Sequence, residues 1–290
     1  MFTQLICDPV QQVIENDIIN NVKALKARGI NPKLAVIRAG DDSGQLYYEN
    51  AILKHAEEYG IETQAISFNN SVSQAYMEMA LQTVNADDIV HGIILLRPFP
   101  EQIDEEKLRK MLNPAKDVDA ITDRSIADTF LGRKDAFYSC TAEACIEALK
   151  YFEIDLDGRN VAVIGRSNSV GKPLAVMLMN MNATVTVCHS HTSVDDQIKA
   201  CRNADIVVLA TGRASAYGSE YFHDGQIILD VGTSTGEDGK LHGDLNIEEI
   251  TQNKVINDLS YTPVPGGIGK ITTALLLRNI IKSALNKDKL

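Results

Sequence analysis

Val161–Pro173 reads VAVIGRSNSVGKP: four apolar residues, a turn of small and polar residues, then the start of a helical pattern. Val161–Ile164 has the length and β-branching of a buried strand, while Gly165, Ser167 and Gly171 keep side-chain bulk out of the turn. A strand that turns tightly into a helix leaves backbone N–H groups exposed at the helix start. The helix dipole adds partial positive charge at the same place. The spacing departs from G-x-G-x-x-G yet keeps what a pyrophosphate requires. The second half of the chain is therefore expected to form a Rossmann-like dinucleotide-binding domain.

The next apolar run, Ala183–Val187, leads into Cys188-His189-Ser190. An NAD site places Asp or Glu at the end of this strand to bind the ribose 2′-hydroxyl, and here there is none. Arg166 inside the turn can present a guanidinium fork to a 2′-phosphate, and Ser190 a hydroxyl. The expected cofactor is NADP rather than NAD.

Outward from this unit the chain keeps alternating. Strands are predicted at Leu34–Arg38, Thr63–Phe68 and Ile93–Leu96. Helices are predicted over Ser43–Tyr59, Val72–Val84, Glu101–Leu112 and Thr141–Phe152. Beyond the turn come a helix from Val170, a helix over Val194–Cys201, and strands at Ile206–Leu209 and Ile227–Val231. Strand–helix repetition of this kind implies parallel sheets with helices on both faces. The fold class is α/β, with two three-layer domains. Lys116–Tyr138 is charged and shows no sustained apolar period, so the junction is placed there. The domains are expected at residues 1–138 and 139–264. The apolar helix after TPVPGGIGK, through about Leu285, lets residues 265–290 complete the first.

At 290 residues and 44 % hydrophobic, the chain is long and apolar enough for two cores. A formal net charge of −11, with no Lys/Arg run, argues against nucleic acid or an anionic membrane surface as partner. The first residues, MFTQLICDPVQQVIENDI, do not have the order of a secretion signal, and a cytoplasmic protein is expected. Cys7, Cys140, Cys145, Cys188 and Cys201 are scattered and odd in number, so free buried thiols are expected rather than a disulfide or zinc site. His189 and His191 are two apart but lack a matching second pair, so no metal is expected. Gly266–Thr272, GGIGKIT, looks like a phosphate loop; however, Val264 stands where its first Gly is needed and Ile271 follows Lys270. It is not one.

YYENAILKHAEEYGI, KDVDAIT, GRSNSVGKP and TPVPGGIGKIT, in this order, resemble the methylenetetrahydrofolate dehydrogenase/methenyltetrahydrofolate cyclohydrolase family over nearly the whole chain. The resemblance implies a folate cleft between two domains, a tetrahydrofolate substrate, NADP or NAD on the second domain, and a homodimer. It implies oxidation of 5,10-methylenetetrahydrofolate by hydride transfer, with hydrolysis of the methenyl product in many members. Tyr48 matches the tyrosine that stacks on the folate, and Asp119 the aspartate that holds the pterin. Pro265, Gly266 and Gly267 match the loop that approaches folate and nicotinamide, and Thr233 a cofactor-contacting position. Gly165, Arg166, Ser167, Gly171 and Ser190 complete the cofactor set.

Two departures fall at the chemistry. The family's catalytic lysine, four residues after the tyrosine, corresponds to Ile52, and its glutamine partner to Leu96. Lys54 does not replace the lysine, because two helical residues turn a side chain by roughly 200°. Losing one buried polar partner strands the other at a cost of about 1–3 kcal/mol, whereas losing both is nearly neutral. Smaller departures are Ala120 for a glycine, Ser139 and Ala142 for prolines, and Lys270 for a proline. Opening the methenyl bridge with water needs a titratable group that Ile52 and Leu96 do not offer. The expected activity is a dehydrogenase with weak or absent cyclohydrolase. The alternatives are a full bifunctional enzyme in which Lys270 or Arg97 substitutes, and a non-catalytic folate- or nucleotide-binding paralogue.

Overall fold

The alternating pattern folds into strands and helices, described over residues 1–236 and 239–287 in a computed structural model. β1 (Phe2–Gln4) leads into α1 (Asp8–Ala27), whose Val10, Ile14, Ile18, Val22 and Leu25 form one buried stripe. There follow β2 (Lys33–Ala39), α2 (Ser43–Tyr59), β3 (Glu62–Phe68), α3 (Gln74–Ala86), β4 (Gly92–Leu96), α4 (Glu105–Met111) and α5 (Asp123–Phe130). α6 (Cys140–Tyr151), β5 (Asn160–Ile164), α7 (Gly171–Asn180), β6 (Thr184–Cys188), α8 (Val194–Arg202), β7 (Ile206–Leu209) and β8 (Gln226–Asp230) continue the alternation. Last come the paired β9 (Ser234–Thr235) and β10 (Leu241–His242), then α9 (Ile247–Asn253), β11 (Leu259–Tyr261) and α10 (Gly269–Lys287).

Contacts divide the chain into two compact units. One joins Met1–Gln11 to Thr141–Thr272, and the other joins Gln12–Cys140 to Thr273–Leu290. The contact division differs from the expected bounds: residues 1–11, expected in the first domain, group with the second half, where β1 pairs in parallel with β11 and extends its sheet, and residues 265–272, expected to complete the first domain, also group with the second half. The segment around residues 116–138 holds a helix, α5. Its buried positions include Ser125 and Thr129, so its inward face shows no apolar period.

In the Gln12–Cys140 unit, three parallel strands run in the order β3-β2-β4. Ala35, Ile37, Ile93 and Leu95 pack one face against Met77, Leu81 and Val84 of α3 and Leu108 of α4. Alternation along the strands sends Arg38 and Leu96, which are register partners, to the other face. There Arg38 Nε meets Glu49 Oε2 of α2 at 2.6 Å, with both side chains less than a tenth exposed. Ser67 Oγ donates to the same carboxylate at 3.3 Å, and Arg38 also donates to the Gly40 carbonyl. An ion pair is thus buried where the sheet carries α2.

The other unit has six parallel strands in the order β1-β11-β8-β7-β5-β6. β5 lies between β6 and β7, so the chain leaves it in opposite directions on its two sides. That is the switch point at which open α/β sheets bind ligands. No helix among the described residues is long and apolar enough to cross a membrane.

Breaking a buried pair strands the partner's charge, whereas replacing both members with apolar residues relieves it. Glu49→Leu is expected to cost about 3–5 kcal/mol in urea unfolding, and Arg38→Leu combined with Glu49→Leu to recover most of that loss.

Candidate functional site

α2 begins where the Asp42 side chain accepts from Gln45 N at 3.0 Å and ends at Gly60 in a left-handed conformation. Gln45, Tyr48, Glu49 and Ile52 fall at i, i+3, i+4 and i+7 and share one face. Ile52 is fully buried and Leu96 nearly so. Gln45 Nε2 donates to the Pro98 carbonyl, tying this helix face to the turn after β4; its Oε1 is buried without a hydrogen-bond partner. Tyr48 is half-buried, and burial first, then Cys140 and Asp119, hold its phenol above the ordinary tyrosine range.

Asp119 sits on a turn built by another carboxylate. Asp117, with no exposed surface, accepts from Ile121 N at 3.0 Å, Thr122 N at 2.8 Å and Ser125 Oγ at 2.7 Å. From α10, Asn279 Nδ2 donates to the Val118 carbonyl at 2.9 Å. Lys116 is buried and donates to the carbonyls of Val84, Asn85 and Asp87, so it is a structural cap and not a free cation. Burial pushes the Asp119 carboxyl up to about 6; Arg97 opposes this and Asp117 adds to it. Arg97 Nη2 lies 3.5 Å from Asp119 Oδ2, and its Nη1 lies 3.2 Å from Glu105 Oε1.

The second group of predicted residues lies in the other unit, at the ends of β5, β6 and β8. Gly165 has φ +132, and a Cβ there would lie 2.4 Å from the Ala210 carbonyl oxygen; at Gly171 it would lie 2.1 Å from the Gly165 oxygen. Both glycines are demanded by close backbone packing at the switch point. Ser167 Oγ accepts from Val170 N at 3.1 Å and Gly171 N at 3.5 Å, so its hydroxyl oxygen shapes the turn. Gly165 N donates to the Cys188 carbonyl at 2.9 Å, and Ile164 and Cys188 are register partners. Arg166 and His189-Ser190 therefore leave adjacent strands side by side. Arg166 is exposed with no carboxylate partner among the described residues, and partial burial, Arg166 and His191 all lower the basicity of His189. This open backbone turn with an unpaired guanidinium fits a dinucleotide phosphate.

Loops near that switch point are anchored by acids that motif reading missed. Asp244, fully buried, accepts from Thr211 N at 2.6 Å, Thr211 Oγ1 at 2.8 Å and Arg213 N at 2.7 Å. Asp230 accepts from Asp244 N at 3.0 Å and Leu245 N at 2.9 Å, and burial pushes its carboxyl up to about 7. Thr233 follows this turn and is exposed. In the Pro265–Gly267 loop, Gly266 has φ +105 and its carbonyl accepts from Cys7 N at 3.0 Å; at Gly267 a Cβ would lie 2.5 Å from the Pro263 oxygen. Lys270 Nζ pairs with Asp8 at 3.2 Å. Cys7, one of five buried free cysteines, is pushed up to about 12 by burial and by Asp8. Among the described residues, no three His, Cys, Asp or Glu side chains gather as a metal cage.

Residues 5–119 match the tetrahydrofolate dehydrogenase/cyclohydrolase catalytic domain, and residues 139–288 match the NAD(P)-binding domain of the same family. The chain belongs to the tetrahydrofolate dehydrogenase/cyclohydrolase family. Bifunctional protein FolD of Clostridium perfringens is 40 % identical over 269 residues, covering 93 % of this chain and 94 % of that one. The crystal structure of bifunctional FolD from Campylobacter jejuni superposes with a TM-score of 0.93 at 35 % identity, over 99 % of this chain and 100 % of that one. Methylenetetrahydrofolate dehydrogenase-cyclohydrolase of Trypanosoma brucei, solved with NADP cofactor and inhibitor, gives 0.91 at 27 % identity over 99 % of both chains.

One feature of this member of the tetrahydrofolate dehydrogenase/cyclohydrolase family is energetically unfavourable on its own. Ala120, next to Asp119, has φ +56, a region that side chains other than glycine and short polar ones avoid. Ala120→Gly should relieve that strain and raise unfolding stability by about 1 kcal/mol, measurable as a higher Tm.

Proposed function

We propose that the protein oxidises 5,10-methylenetetrahydrofolate to 5,10-methenyltetrahydrofolate, with NADP as the hydride acceptor, and that its hydrolysis of the methenyl product is weak or absent. The observation that carries the second part is the burial of Ile52 and Leu96, aliphatic at the positions where the family resemblance calls for lysine and glutamine. Hydride transfer depends mainly on orienting two flat rings. Attack by water also needs a proton acceptor and donor near the bridge, a contribution of roughly 10²–10⁴-fold. The nearest buried cation on that sheet face, Arg38, is bound to Glu49, and a guanidinium does not release its proton.

The two candidate substitutes are engaged elsewhere: Lys270 with Asp8, and Arg97 with Asp119 and Glu105. These pairings favour the dehydrogenase reading over the full bifunctional one. In the proposed arrangement Tyr48 offers an aromatic face, Asp119 accepts from the pterin's amino and ring N–H donors, and Pro265, Gly266 and Gly267 let backbone approach the ligands. Gly165, Ser167, Gly171 and Thr233 border the dinucleotide. Arg166 and Ser190 receive the 2′-phosphate, and the absence of a carboxylate beside Arg166 supports NADP over NAD. A cytoplasmic homodimer completes the proposal. β6 supports it as an edge strand with Val187 exposed, a surface that a two-fold partner can cover.

Paired spectrophotometric assays test the reading directly. NADP reduction with methylenetetrahydrofolate is expected, with hydrolysis of methenyltetrahydrofolate slower by about a hundredfold or more. Fast hydrolysis sinks the proposed loss, and NADP binding without reduction favours the non-catalytic paralogue. Arg166→Leu is expected to weaken NADP binding about tenfold or more and to leave NAD nearly unchanged.

A further inference from the structure

Arg97 stands in the turn after β4, between two carboxylates. The pair is accessible to a ligand: the Arg97 side chain is 37 % exposed and that of Asp119 24 %. The guanidinium has five N–H donors, and the contacts with Asp119 and Glu105 use one nitrogen each. Arginine and aspartate thus present a partly open edge on which an acceptor, Asp119 Oδ, lies next to spare N–H donors. Glu105 restrains the guanidinium from its far side.

The hydrogen-bonding edge of a 2-amino-4-oxopteridine is the complement of such an edge. It carries two donors, the 2-amino group and N3–H, followed by one acceptor, the 4-oxo oxygen. We propose that Arg97 is a specificity-determining residue that donates to the 4-oxo oxygen of the pterin while Asp119 accepts from the adjacent N–H donors. The proposal rests on the reading of Asp119 as the pterin's acceptor and extends it to the neighbouring side chain. It also gives Arg97 a role other than that of a substitute base.

Two consequences follow from the chemistry. A 2,4-diaminopteridine replaces the 4-oxo acceptor with a donor, which would face Arg97 donor to donor, and its N3 loses the hydrogen that Asp119 accepts. Both side chains therefore select against it, Arg97 through the 4-position. Removing Arg97 should shrink that selection and leave the part due to Asp119, whereas a general loosening of the turn would weaken both ring types alike.

The test compares dissociation constants of folic acid and its 4-amino-4-deoxy counterpart at pH 8, by calorimetry or fluorescence quenching, on wild type, Arg97→Leu, Arg97→Lys and Asp119→Asn. Wild type should prefer the 4-oxo ring by about tenfold or more, the scale of one charge-assisted hydrogen bond. Arg97→Leu should cut the preference at least about threefold, mainly by weakening the 4-oxo ligand, and Arg97→Lys should retain more of it. If Asp119→Asn weakens both ligands while Arg97→Leu leaves their ratio unchanged, the role of Asp119 stands and that of Arg97 is overturned. If Asp119→Asn changes neither ligand, the reading of Asp119 fails first.

Discussion

Beneath α2, Arg38 and Glu49 bury opposite charges 2.6 Å apart, and the position of Tyr48 depends on that contact. β2 supplies the arginine and α2 the glutamate, so the pair fixes both the height and the rotation of the helix on the sheet. Two ions removed from water are stable only when each is fully partnered. The Ser67 hydroxyl, the Gly40 carbonyl and the Asp41 carboxylate, 3.6 Å from Arg38 Nη1, provide further partners. With rotation fixed, Ile52 must point into the core one turn after Tyr48, and Leu96 lies beside Arg38 in the strand register.

This arrangement separates two kinds of chemistry. The groups proposed to position flat ligands stay partly open: Tyr48, Asp119 and Arg97 in one unit, and Arg166, Ser190 and Thr233 in the other. The positions that the resemblance links to proton transfer are aliphatic and dry. Charge has not left the region; it sits in an arginine that cannot titrate and in a glutamate committed to it. The proposed division of labour, hydride transfer kept and hydrolysis lost, follows from where titratable groups are and are not.

Much of the scaffold was legible because periodicity is a local signal. Ser43–Tyr59 and Ile206–Leu209 have the bounds expected from their patterns, and the Gly165–Gly171 turn packs as its small residues required. What escaped was information carried by distant partners. β1 is three residues long and becomes a strand only because Leu259–Tyr261 pairs with it, far away in sequence. α5 buries Ser125 and Thr129, so its inward face does not look hydrophobic. Asp117, Asp230 and Asp244 carry no local signal of their role, yet each anchors backbone N–H groups of a turn. Arg38 was visible as one charge in an apolar strand, but its meaning needed Glu49 across the layer. The family motifs single out Tyr48 and Asp119 as candidates; the ion pairs of Arg97 and Lys270 required coordinates.

In the proposed division of labour, the dry aliphatic pair at Ile52 and Leu96 withholds the hydrolytic step. Restoring the polar pair tests this most directly: methenyltetrahydrofolate hydrolysis is measured in Ile52→Lys combined with Leu96→Gln, with circular dichroism confirming the fold. The account predicts a gain of about tenfold or more over wild type, with NADP binding unchanged. A folded double variant that hydrolyses no faster than wild type would contradict it.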